Sequence, residues 1–149
     1  MSGRFCDDDQ ELQGFRDLDA WRVAMDLAVD LYKFIERLPS CERFEMASQM
    51  RRAAVSVPSN VAEGQANGAT LRNRNHVRIA LGSVAELSTC VELCLRIGYV
   101  ESATAAKLQD ELTRTQKLLH GLQNSILRKI GGEGVKIVAI VLACRWFFN

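Results

Sequence analysis

The sequence predicts an all-α chain folded as an antiparallel up-down-up-down four-helix bundle. Three observations predict it. Four segments carry apolar residues at alternating spacings of three and four, the period of one helix face. Glycine (10) and proline (2) are scarce in 149 residues, so there are few turns to build many strands. The links between the periodic segments are short, which places successive helices side by side in opposite directions. With 48% hydrophobic and 25% charged residues, the composition is that of a globular protein rather than a disordered or collagen-like one.

The first segment places Leu18, Trp21, Met25, Ala28, Tyr32 and Ile35 on one stripe, flanked by Leu27, Leu31 and Phe34. Pro39 disfavours helix at the residue before it and closes the segment. Ser40 is a candidate N-cap for the second helix, with Glu42 suited to its dipole. That helix carries Met46, Met50, Ala53, Val57 and Asn60, with a kink expected near Pro58 and a stop at Gly64. After a loop, Thr70 caps a third helix with the stripe Val77, Ala80, Val84, Leu87, Val91 and Cys94, ended by Gly98. The fourth begins near Glu101 or Ser102 and carries Leu108, Leu112, Thr115, Leu119, Leu122 and Ile126. Gly131, Gly132 and Gly134 are expected to break it. The chain thus divides into an acidic N-terminal arm (1–14), a bundle (15–130), and a Gly-rich break with an apolar tail (131–149). Apolar residues beyond one stripe on the first and third helices imply either a broader core or burial against another copy.

Charge is nearly balanced, 19 basic against 18 acidic, but unevenly distributed. Residues 1–50 carry a net −5, residues 51–100 a net +3, and the remainder a net +3. Five cysteines without a tight framework, and an acidic rather than basic start, point to a cytoplasmic chain with reduced thiols. The apolar run Ile137 to Cys144 is shorter than the ~20 residues that span a bilayer, so no membrane anchor is expected.

The densest motif is Gln49-Met-Arg-Arg-Ala-Ala-Val-Ser-Val-Pro-Ser-Asn-Val-Ala-Glu-Gly64. It resembles the Q-x-R-R-A-x-x-S-[IV]-x-x-N-[IV]-A-E-G signature of the bacterial four-helix family named for proteins encoded in intervening sequences of 23S ribosomal RNA genes. The resemblance continues at Leu18-x-x-Trp21-x-x-Ala24-x-x-Leu27, at Leu38-Pro39-x-x-Glu42 and at Ala80-x-Gly82-Ser83-x-x-Glu86-Leu87, and covers residues 15 to 129. It implies a homo-oligomer, a ring of five bundles. The family is similar to the accessory protein of diversity-generating retroelements, a basic pentamer that partners a reverse transcriptase and binds nucleic acid. The arm and the tail lie outside the shared pattern.

Among the signature residues (Gln49, Ser56, Pro58, Asn60, Glu63, Gly64, Gly82 and Glu86), Asn60 sits on the apolar stripe. It needs hydrogen-bond partners there, and backbone groups disturbed by Pro58 are the expected ones, with Ser56 and Ser59 as helpers. Glu63 and Glu86 are expected to pair with Arg51 or Arg52, within or between subunits. Arg72, Arg74, His76 and Arg78 lie within seven residues, with no acid between Glu63 and Glu86. Together with Arg51 and Arg52 they form a candidate nucleic-acid surface, whose phosphate contacts would multiply in an oligomer. A solvated helix face is the alternative reading, and a scaffold recruiting a partner protein is the competing function.

No catalytic residue emerges. Cys90 and Cys94 read as core thiols. Two histidines, His76 and His120, make neither a zinc site nor a di-iron E-x-x-H pair, and no phosphate-binding glycine loop is present. No metal and no cofactor are expected.

Overall fold

In a computed structural model, residues 14–147 are described, with side chains up to residue 132. The acidic arm lies almost wholly outside them. Four helices form the fold: α1 (Asp19–Ile35), α2 (Met46–Ala66), α3 (Leu71–Ile97) and α4 (Ser102–Phe147). Short 3-10 turns occupy Phe15–Asp17 and Ser40–Glu42. Each helix packs on two others (α1 on α2 and α4, α3 on α2 and α4), which closes a four-helix bundle.

The stripes of α3 and α4 face the core as their spacing predicts. Val77, Ala80, Val84, Leu87, Val91 and Cys94 are buried, as are Leu108, Leu112, Thr115, Leu119 and Ile126. Leu31 and Met50 join them from α1 and α2 with no exposed surface. Each such side chain contributes roughly 1.5–3 kcal/mol through its removal from water.

α1 is rotated relative to the expected stripe. Ala20, Ala24, Leu27, Leu31 and Phe34 are buried together with Ala28 and Ile35 of the expected stripe, whereas Met25 and Tyr32 are more than a third exposed and Val29 is half exposed. Both faces of this helix are apolar, and the one rich in leucine and small alanine packs closer to its neighbours.

The ends of the helices bring further corrections. Ser40 opens a 3-10 turn rather than α2, which starts six residues later at Met46. α2 continues through the buried Pro58 and past Gly64 to Ala66, and the left-handed glycine that turns the chain is Gly68, at φ 62°. Thr70 does cap α3, its Oγ1 accepting from the Asn73 backbone N–H at 3.2 Å. Gly98 ends α3 at φ 86°.

Finally, α4 does not break at Gly131, Gly132 and Gly134 but runs on to Phe147. Glycine weakens a helix interior by about 1 kcal/mol, a cost the 46 residues of cooperative helix absorb unless a left-handed turn intervenes.

Candidate functional site

A polar seam lines the α2–α3 contact. Ser83 Oγ donates to Ser56 Oγ at 2.8 Å and also reaches the Ile79 carbonyl at 3.2 Å. Asn60 Nδ2 donates to the Ser56 carbonyl (2.9 Å) and Ser56 Oγ (3.1 Å). Its Oδ1 faces His76 Nδ1 at 3.1 Å, and Glu63 Oε2 stands 3.5 Å from the same nitrogen. The carbonyl deprived of a donor by Pro58 is that of Ala54, four residues back. Asn60 therefore serves the seam and not the proline, contrary to the expectation from its spacing.

Gly64 belongs to this seam for a steric reason. A Cβ built there would lie 2.6 Å from Asn73 Oδ1 and 3.2 Å from His76 Cβ. Its role is close approach of α2 to α3 rather than helix termination. Asn73 is itself buried, its Nδ2 donating to the Gly68 carbonyl at 2.7 Å. Sequence reasoning gives Asn73 no such anchoring part and Ser83 no partner. Their signal is polarity at inward-facing positions next to the glycines.

The six candidate basic residues do not form one surface. Arg72 and Arg78 are exposed near the start of α3. Arg74 is half-buried, its Nε enclosed without a hydrogen-bond partner. His76 is drawn into the seam. Arg51 and Arg52 lie about 20 Å along α2 from the level of Arg72, at the 1.5 Å helical rise. Arg52 donates to Ser48 Oγ at 2.8 Å. Among the described residues, neither arginine pairs with Glu63 or Glu86. Of the remaining signature residues, Gln49 and Gly82 are exposed, Gly82 with nothing within 4 Å of an added Cβ.

The seam's residue types and order reproduce the sequence signature at the level of structure. The 23S rRNA-intervening sequence protein family is matched over residues 16–121, most of the chain. The chain belongs to that family. A solved structure from Bacteroides thetaiotaomicron, described as a protein with unknown function from the S23 ribosomal protein family, is similar in fold. It aligns with a TM-score of 0.65 at 22% identity, over 70% of this chain and 95% of that one. A comparison with curated proteins finds no match.

The matched region of this family member includes a second surface, mainly apolar, with Lys33, Glu36 and Ser59 as its polar members. Trp21, Met25, Val29 and Tyr32 of α1 meet Val55 and Pro58 of α2 along an open groove of about 630 Å³. It is the exposed apolar face of α1, continued onto α2. Elsewhere, the buried thiols of Cys90 and Cys94 are pushed up from their ordinary value chiefly by burial, with Glu86 adding to the shift at Cys90. Both are thereby held as inert core groups. Among the described residues, no three metal-ligating side chains cluster, and no helix is long and apolar enough to cross a membrane.

Proposed function

We propose that this protein is a non-catalytic, self-associating helical bundle that binds nucleic acid in its assembled form. The α1–α2 groove carries the reading. An apolar channel of this size, open to water on a chain with a well-filled core, favours burial against a protein surface. Identical copies that bury it also repeat Arg72, Arg74 and Arg78. Each set alone is a weak phosphate site, but repetition adds contacts, and affinity then falls steeply with salt. The resemblance to ring-forming relatives points to five copies.

The test joins mass to binding. Light scattering should give a multiple of the 16.6 kDa chain. RNA or DNA should bind at low salt, and the triple variant Arg72→Glu, Arg74→Glu, Arg78→Glu should abolish binding while keeping the fold. A scaffold for a different protein is the second reading, favoured by the same groove and by the dispersal of the six basic residues. An oligomer that binds no nucleic acid even at ~50 mM salt would select it.

A further inference from the structure

We infer that the groove between α1 and α2 receives residues 135–147 of α4 from another copy of this chain. The inference rests on the self-association proposed above and names the contact that produces it.

Four observations converge on this occupant. First, α4 outruns the bundle. Its 46 residues span about 69 Å, against about 40 Å for the 27 residues of α3, the preceding helix that it packs beside, so its C-terminal part extends past that partner. Second, that projecting stretch is apolar. Residues 137–144 read Ile-Val-Ala-Ile-Val-Leu-Ala-Cys without a charge, and Trp146 and Phe147 follow Arg145. A helix apolar on all sides requires burial. Third, the lengths agree. Thirteen helical residues span about 20 Å, and the α1 wall of the groove from Trp21 to Glu36 spans about 22 Å.

Fourth, the charges complement. Arg22 is engaged by Asp17 and Asp19, and Lys33 by Asp30. Asp26 and Glu36 have no ion-pair partner among the described residues, and they flank the exposed Val29 and Tyr32. These two acids are about 15 Å apart along α1, while Lys136 and Arg145 are about 13 Å apart along α4. Two cations bracketing an apolar run are thus matched in spacing by two acids on either side of Val29 and Tyr32.

The occupant comes from a different copy because of direction. Asp19 and Val23 of α1 lie beside Asp110 to Leu118 of α4, so α4 leaves the bundle beyond the start of α1. As an unbroken helix it points away from the groove of its own chain. A head-to-tail contact of this kind closes into a ring when its rotation permits.

The experiment uses the full chain. Val29→Glu in the groove and the pair Ile140→Glu, Val141→Glu in the projecting helix should each weaken self-association at least about 100-fold, since each buries an unpaired charge. To separate loss of the contact from loss of the fold, an independent measurement uses Val29→Cys chains, half of them labelled with ¹⁵N, joined by a thiol cross-linker. Isotopically mixed products between Cys144 and the introduced thiol are expected. A wild-type monomer would overturn both self-association and this contact. An oligomer whose mass and affinity ignore the glutamates, or whose cross-links never join two chains, would overturn the contact alone.

Discussion

His76 Nδ1 and Asn60 Oδ1 meet at 3.1 Å across the α2–α3 interface, sixteen residues apart in the chain. Asn60 spends its amide nitrogen on Ser56, so its oxygen is left to accept, and the carboxylate of Glu63 also accepts. The proton of neutral His76 is thereby pinned on Nδ1 rather than Nε2. Nitrogen chemical shifts of the imidazole should report that tautomer. Asn60→Ala should release it and destabilise the fold by about 1–3 kcal/mol in urea titration, through seam groups left unsatisfied. A ring that favours Nε2–H in the unaltered protein would contradict the arrangement.

Two glycines of the signature should respond to alanine with opposite signs. At Gly64 the new methyl drives into Asn73 and His76, so Gly64→Ala is expected to cost about 1–3 kcal/mol. At Gly82 nothing lies within 4 Å, so Gly82→Ala is expected to stabilise the isolated chain by about 0.5–1 kcal/mol through helix propensity. Thermal melting of the two variants checks both. Equal effects would mean that the α2–α3 approach is looser than described.

The thiols should separate by location. Cys41 is exposed, whereas Cys90 and Cys94 are buried and held above their ordinary value. A thiol-specific reagent is expected to modify Cys41 in the folded protein and to reach the other two only after unfolding. The raised values also set a pH dependence. The folded state favours the protonated thiol, so this stabilisation is complete below about 9, the unfolded value, and declines as pH rises through the higher folded one. Unfolding midpoints from pH 8 upward should fall accordingly.

At the acidic end the responsive group is Asp30. A hydrogen bond from Lys33, with the Lys33 and Lys107 charges beside it, holds its carboxyl below the ordinary value. Its contribution is present above the usual carboxylate range and disappears as pH falls through the depressed value. Asp30→Asn should remove that part of the acid sensitivity while changing neutral-pH stability little, because the pair lies near the surface. Melting curves at neutral and acidic pH make the comparison.

Much of this architecture is legible in the amino-acid order. α3 and α4 bury the stripes that their spacing marks, so periodicity locates the core there. α1 defeats the same reasoning because it has two apolar faces, and only packing against α2 and α4 decides that Leu27, Leu31 and Phe34 turn inward while Met25 and Tyr32 remain outside. Gly64 illustrates a different limit. A glycine near a helix end reads as a terminator, yet here it marks an approach between helices that no local pattern reveals. The basic cluster was legible as composition but not as a surface, since consecutive helical residues point in directions about 100° apart. Arg74 and Arg78 share one face, while His76, which lies close to the direction of Arg72, is claimed by Asn60 and Glu63 of the seam.

The reach of α4 has a practical consequence for any size measurement. At 46 residues it is about 69 Å long, whereas a compact chain of this length has a radius of gyration of about 15 Å. An elongated particle experiences more hydrodynamic drag than a sphere of equal mass. A lone copy would therefore elute early from a gel-filtration column and imitate a dimer, so stoichiometry must come from scattering or sedimentation equilibrium, which weigh the particle instead of timing it.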